Sequence, residues 1–488
     1  MGFSAMTHHP KYANSTVIFP FQRVRTTRFC QSIDGFMRTP LYFVLLGILT
    51  AVSSLFSMEL AVYTVIVLIG IFITLLGSDL LPLMPLAVLS YIAPSLGNNP
   101  SVNKESLFYG WQGIYLGICA GILILCLLVR LVTDPEIGQM AFLKCKRSLL
   151  SGMLILGIGY MLGGAFSGYY TAHGWRNALY AFLQFIAVFL CYYLFTGAVR
   201  WEKAPKFYLT WFAVCVGIVL LLQLYHVYAI NQVLAGPWID RNKIYTGWGT
   251  YNNLGVLLAM AIPFACQLSR EKKYGWAFEI LALLMMLGVV MSCSRGSMVV
   301  AALIYPICFV LMLRKSTRRI PGLLHIFMIG ILIVVAYLYR ERLLQLLRHI
   351  LQYWMASSGR NQLYAEGWQQ FLRFPIFGGT FFPVDFSPLG GDSVPEFSSF
   401  FPYSWHNTPL QMLASCGIVG LLAYGFHRLQ TIKLMLTRRS LEIAFISLSL
   451  FVLLATSLLD CHFFNCCPTL FYSMALAFAE KSNGHPQG

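Results

Sequence analysis

Three arginines and a histidine stand out in a chain that carries few charges. Arg295 occurs in "MSCSRGSMVVAALIYP", at a Ser-Arg-Gly turn between two apolar runs. Arg360 follows Ser-Gly in "SSGRNQLYAEGWQQFLRFPIFGG", Arg241 occurs in "WIDRNKIYTGWGTYNN", and His406 lies in "SWHNTPLQMLASCGIVGLL". A guanidinium offers a planar fork of donors that matches phosphate oxygens. An imidazole exchanges a proton near neutral pH, and neighbouring cations hold it neutral. Together these types make an anion clamp beside a general base. Each has a plainer reading. Arg295 can snorkel to lipid phosphates. His406 can be a polar residue at a membrane lip. Asn252 and Asn253 can cap the helix entered at Tyr251, and Asn407 with Pro409 reads as a capped helix start. Arg360 sits at a helix start, where free N–H groups already favour an anion.

The elements that position these residues must be membrane helices. Of 488 residues, 58% are hydrophobic and 11% charged, with mean hydropathy +0.69, which excludes an ordinary soluble protein. A helix needs roughly 20 apolar residues to cross the hydrocarbon core, where no solvent satisfies a free backbone N–H or C=O. Spans are predicted at 41–58, 60–77, 80–96, 111–132, 148–167, 177–199, 208–230, 251–269, 274–293, 297–313, 320–339, 406–427, 440–459 and 464–480. The second and third meet at Asp79 and can form one broken unit, so the expectation is about 12–14 helices. The fold class expected is an all-α polytopic membrane protein.

The net charge of +16 comes from basic residues in short loops, among them Lys144, Lys146 and Arg147; Arg200, Lys203 and Lys206; and Arg428, Lys433, Arg438 and Arg439. This positive-inside pattern places both termini in the cytoplasm. It points to no nucleic acid, because no basic stripe interleaved with aromatics occurs in a soluble segment. The organisation expected is a basic amino-terminal segment (1–40), a helix bundle (41–339), a long extracytoplasmic loop (340–405), carboxy-terminal helices (406–480) and a short cytoplasmic tail (481–488). No cleavable signal is expected, since the first 40 residues are polar and basic. Arg241, Arg295, Arg360 and His406 then all fall on the outer face.

In the long loop, Arg340, Arg342 and Arg348 read as a helix face on anionic lipid. "LLDCHFFNCCPTLF" crowds Asp460, Cys461, His462, Cys466 and Cys467. Four zinc ligands in so short a run make a cramped tetrahedron, so no metal is expected; a disulfide from Cys461 to Cys466 or Cys467, or free thiols, fits better. The other cysteines lie singly in apolar runs as small core residues. No Walker loop, dinucleotide fingerprint or HExxH helix occurs, no cofactor is implied, and no internal repeat suggests a repeat-built transporter.

In order along 250–430 stand Tyr251-Asn252-Asn253 with a run ending in Ile262-Pro263, Ser294-Arg295-Gly296, Ser358-Gly359-Arg360 followed by Phe374-Pro375-Ile376-Phe377-Gly378-Gly379, and His406-Asn407 with Leu410, Gly417 and Gly420. This pattern resembles the O-antigen ligase and O-antigen polymerase superfamily of bacterial membrane glycosyltransferases. The resemblance implies a GT-C-like, metal-independent, inverting enzyme of the inner membrane, active in cell-surface polysaccharide biosynthesis. Its partners would be an undecaprenyl-diphosphate-linked glycan donor, a glycan, lipid or protein acceptor, and membrane lipid. Carried over by position, Arg295 and Arg360 would bind the diphosphate and His406 would act on the acceptor hydroxyl. Arg241, Asn253 and Asn407 would assist binding. The Cys-His cluster is no part of the pattern. Two other readings use the same residues: a flippase or transporter for lipid-linked oligosaccharide, and a non-catalytic assembly protein whose loop docks a partner.

Overall fold

The computed structural model describes residues 24–94, 110–134, 148–166, 174–233, 240–313, 360–379, 381, 405–437 and 440–481, with scattered positions between 327 and 344. Most of the expected span at 320–339 and of the long loop, including Arg342 and Arg348, lies outside the described residues. The chain is an all-α polytopic membrane protein. Its helices are α1 (Arg28–Phe36), α2 (Pro40–Phe56), α3 (Glu59–Leu76), α4 (Leu83–Tyr91), α5 (Gly110–Thr133), α6 (Leu150–Ala165), α7 (Gly174–Phe185), α8 (Cys191–Ala198), α9 (Tyr208–Ile230), α10 (Tyr251–Glu271), α11 (Gly275–Met291), α12 (Arg295–Leu313), α13 (Arg360–Arg373), α14 (Thr408–Thr437), α15 (Leu441–Thr456) and α16 (Cys466–Lys481). The only strands among the described residues are β1 (Tyr245–Thr246) and β2 (Gly249–Thr250), an antiparallel pair.

Seven helices among the described residues are long and apolar enough to cross a membrane, or eight if α1 and α2, bent by 73°, form one span; α6, α11 and α15 are shorter apolar helices. α10 is the central helix, 89% buried, and it packs against α9, α11, α12 and α15. Small residues let it be central. A methyl at Gly217 of α9 would come within 2.3 Å of the Met285 side chain on α11 and 3.1 Å of the Ala261 methyl on α10, so glycine leaves room for the side chains of both neighbours where the three helices pack.

Two sequence expectations are corrected. The segment 80–96 is no span: α4 has nine residues, about 13 Å of rise against a core of about 30 Å. The chain turns instead on Asp79, which is fully buried. Its carboxylate accepts from the Leu81 and Arg200 N–H groups at 2.9 and 3.1 Å and pairs with Arg38 at 2.9 Å. The second correction concerns Arg428, expected in a loop after a span ending at 427. α14 continues to Thr437, and Arg428 is buried within it. Its guanidinium lies 3.6 Å from the ring centre of Phe463 and 4.4 Å from that of Tyr424, and it donates to Tyr472 Oη at 2.8 Å. Stacking on rings is a means of holding a cation among helices.

α14 is interrupted at Gly417 (φ 66°, ψ −165°). Backbone groups freed inside a bundle must find partners, and the Pro375–Gly379 segment supplies them. Gly379 N–H donates to the Ala414 carbonyl at 2.9 Å, while Ile418 and Val419 N–H groups donate to the carbonyls of Pro375 and Ile376 at 2.9 and 3.3 Å. Gln370 of α13 adds a bond to the Ala414 carbonyl at 2.9 Å. Two glycines make this approach feasible. A Cβ on Gly417 would meet Ile376 O at 2.2 Å, and one on Gly378 (φ +81°) would meet the Ser415 carbonyl carbon at 2.2 Å. The join seats α13 across the start of α14, with Gly367 against Trp405 and Leu410, and so brings Arg360 towards His406. Gly417→Ala is expected to cost more than about 2 kcal/mol, through both the positive φ and the clash. Thermal unfolding in detergent checks it; a melting point equal to that of the wild type would refute the role given to this break.

Candidate functional site

One small cleft open to solvent is lined by Arg241, Tyr251, Asn252, Cys293, Ser294, Arg295, Gly296, Arg360, Thr456, Leu459, Asp460 and His462. Five stretches far apart in sequence thus converge. Arg295 begins α12 after a sharp turn. The Ser294 carbonyl accepts the first helical bond from Met298 N–H at 2.9 Å, and Ser294 Oγ donates to Ser297 Oγ at 2.9 Å. Cys293 has a left-handed backbone (φ 57°). The turn presses on α10 where a methyl at Gly255 would lie 2.7 Å from Ser292 and Ser294, so only glycine admits it there.

Arg241 sits on a short 3₁₀ turn after α9, its guanidinium 5.5 Å from the centre of the Tyr251 ring. Asn231 Nδ2 holds this turn through the Lys243 carbonyl at 2.9 Å, and the hairpin that follows is anchored by Trp248 Nε1 donating to Gln223 at 3.0 Å. Arg360 is the first residue of α13. Arg295 is the first residue of α12, and a helix's amino-terminal end favours an anion.

His406 is not among the lining residues but is hydrogen-bonded to one of them, Asp460. Its Nδ1 lies 2.9 Å from Asp460 Oδ1, and Asp460 also accepts from Cys461 N–H at 2.8 Å and from the Asn252 side-chain amide. Burial alone would raise the Asp460 pKa, but the His406 hydrogen bond, the neighbouring imidazoles and the Cys461 N–H outweigh it and bring it down to about 2. An ionised Asp460 can only accept, so His406 Nδ1 donates, and in the neutral ring Nε2 carries the lone pair. This is the tautomer a general base requires. Further bonds lock the two segments together: Thr408 N–H to Ser457 O, Thr408 Oγ1 to Asp460 O and Asn407 Nδ2 to Leu458 O, each 2.9 Å. His406 itself is in the left-handed region (φ 49°), a strain that the surrounding bonds sustain.

The structure brings Arg241, Arg295 and Arg360 together and joins His406 to their cleft through Asp460. It does not bring Asn253 or Asn407 into the lining. Asn253 packs on the hairpin at Gly249, and its neighbour Asn252 faces Asp460 instead. Asn407 caps α14, with Oδ1 accepting from Leu410 N–H at 2.9 Å. Sequence reasoning missed Asp460 and His462 as members of this site by reading them with the cysteines. The signal was an acid at a span end in a chain with only 18 acidic residues. Among the described residues no disulfide joins Cys461 to Cys467, and Cys461 Sγ donates to Gln411 Oε1 at 3.2 Å. The Cys466 side chain lies outside the described residues. Burial lowers the His462 pKa against the opposing pull of Asp460.

With three guanidinium groups and one carboxylate among its lining residues, the cleft carries a surplus of positive charge. The depressed Asp460 pKa means that its stabilising contribution is present above the unfolded value of about 4 and is lost as pH falls towards about 2. Asp460→Asn is therefore expected to cost about 1–3 kcal/mol at neutral pH and to flatten the acid limb of stability. Melts of both proteins at pH 7 and pH 3 check this; equal pH dependence in the two would refute it.

Residues 280–425 match the family model described as O-antigen ligase. No curated protein matches the chain. The matched stretch holds Arg295, Arg360, His406 and the Gly417 break, while Arg241 and Asp460 reach the cleft from outside it. Over residues 280–425 the chain is thus similar to the O-antigen ligase family, and it is a multi-pass membrane protein.

Proposed function

We propose that this protein is a membrane glycosyltransferase that moves glycan from an undecaprenyl-diphosphate donor to an acceptor hydroxyl at the outer face of the inner membrane, in the building of cell-surface polysaccharide. The observation that carries this reading is the convergence of Arg241, Arg295 and Arg360 on one cleft that Asp460 also lines, with His406 hydrogen-bonded to Asp460. A sugar on a diphosphate already has a good leaving group. Catalysis then consists of neutralising the departing charge and aiming an acceptor oxygen at the anomeric carbon.

In this mechanism Arg295 and Arg360, aided by Arg241, bind the diphosphate oxygens and take up the charge that develops there, in place of a metal. His406 Nε2 removes the acceptor's proton as the new C–O bond forms and the anomeric C–O bond to phosphate breaks. The lipid diphosphate departs with the bonding electrons. Asp460 keeps the imidazole in the required tautomer and stabilises the imidazolium that results. Attack opposite the leaving group inverts the anomeric configuration. Within this reading we favour a polymerase or general polysaccharide transferase over a ligase, since no sequence feature marks a core-oligosaccharide partner.

The test is incubation of the purified protein in lipid nanodiscs with undecaprenyl-diphosphate oligosaccharide alone, followed by mass analysis of the lipid products. A ladder is expected from the wild type. His406→Ala should retain donor binding and lose about 100- to 10,000-fold in transfer, whereas Arg295→Ala and Arg360→Ala should each weaken donor binding about tenfold or more. Normal turnover by the histidine variant would overturn its role. A ladder that appears only after an acceptor is added would assign a ligase.

A further inference from the structure

His462 lines the cleft beside the three arginines, yet the mechanism above does not use it. The residue is 2% exposed, and its Nδ1 is buried with no hydrogen-bond partner among the described residues. Buried polar atoms are seldom left in that state, and this one belongs to a residue that lines a cleft. The platform beneath it is fixed, so the ring has little freedom to find a partner within the protein. His462 begins a 3₁₀ turn, His462–Phe464. Tyr160 and Tyr180 donate to the carbonyls of Phe463 and Phe464 at 3.0 and 2.6 Å, and the Arg428 guanidinium stacks 3.6 Å from the Phe463 ring centre. On its other side the turn continues from Asp460, whose carbonyl is held by Thr408 Oγ1.

The ligand group that suits this ring is an uncharged one. Burial favours the neutral imidazole, which carries one donor and one acceptor. The guanidinium groups already serve the anion, and a hydroxyl can both give and accept a hydrogen bond. We infer that His462 is a sugar-reading residue of this cleft, its imidazole hydrogen-bonding a hydroxyl of the sugar carried next to the diphosphate of the lipid-linked donor. The inference rests on the donor reading proposed above and deepens it. Arg295, Arg360 and His462 line the same cleft, so the sugar attached to a diphosphate held by the two arginines enters the space that His462 also bounds. His462 is thus a specificity residue: it contributes to the difference between glycosylated and bare lipid and leaves the binding of the diphosphate to the arginines.

The experiment measures dissociation constants of the full-length protein in nanodiscs for undecaprenyl diphosphate and for a panel of undecaprenyl-diphosphate monosaccharides. The variants are His462→Ala, His462→Phe and His462→Asn, with Arg295→Ala as control. The wild type is expected to bind at least one glycosylated lipid about tenfold more tightly than the bare diphosphate. Alanine and phenylalanine variants should lose that ratio while keeping the affinity for bare lipid. The asparagine variant, whose amide occupies the position of Nδ1, should recover most of it, a rescue that a purely structural role does not produce. Arg295→Ala should weaken both kinds of lipid alike. Where the alanine variant does not assemble, phenylalanine carries the same test with an apolar ring. A ratio unchanged in the variants, or equal loss for both lipids, overturns the role of His462. A wild type that binds every lipid equally overturns the sugar subsite and leaves the diphosphate reading standing. A wild type that binds none of them removes the donor reading and this inference with it.

Discussion

Asp460 is an ionised carboxylate held in a largely protein-enclosed place, and the architecture of the cleft follows from how that charge is satisfied. Desolvating a carboxylate is costly unless donors surround it. Here the donors come from three parts of the chain: Asn252 at the start of α10, His406 just before α14, and the N–H of Cys461. Meeting the electrostatic demand of one side chain therefore gathers the ends of the central helix, of the broken helix and of α15 at one point. The same bond fixes the His406 tautomer. A structural necessity and a chemical one coincide in a single hydrogen bond.

A second constraint acts on the backbone. The interruption of α14 at Gly417 leaves peptide groups without helical partners, and Pro375, Ile376 and Gly379 accept or donate the missing bonds. The glycines and proline of this motif are therefore not chemical groups of the cleft. They form a joint that ties α13 to α14 and, through it, holds the segment beginning at Arg360 near the one beginning at His406. Gly367 packing on Trp405 and Leu410 extends the same joint towards the lip. A family motif thus divides into residues that carry charge and residues that permit backbone to meet backbone.

Charges elsewhere in the bundle are treated differently. At the turn after α3, Asp79 is paired with Arg38 and with the Arg200 N–H, and Asp134 accepts from Arg25 and Arg130. These pairs link helix ends and compensate one another. Arg428 is held within α14 by aromatic faces and the Tyr472 hydroxyl, and the ring beneath its guanidinium, Phe463, adjoins His462. The wall of the cleft is in this way braced from within the bundle, which gives the cleft residues fixed positions rather than adaptable ones.

Composition and run length by themselves determined the class of this protein, because lipid admits few backbone solutions and a span must be about 20 apolar residues long. Residue type and local order also exposed Arg241, Arg295, Arg360 and His406, since cations and imidazole are conspicuous in so apolar a chain, and Asn407 with Pro409 was legible as a helix start because capping is local. Only the tertiary structure decided that Asp460, 54 positions from His406, is its partner and that Asn252 rather than Asn253 faces the cleft. It alone showed that 80–96 turns on a buried carboxylate, that Arg428 is enclosed by rings, and that Cys461 and Cys467 are not bridged to each other. The physical reason is common to all of these. Span length and capping are set by neighbours along the chain, whereas the partner of a buried charge and the facing of an amide are set by which helix ends meet, and that depends on glycine contacts and backbone bonds between segments far apart in sequence.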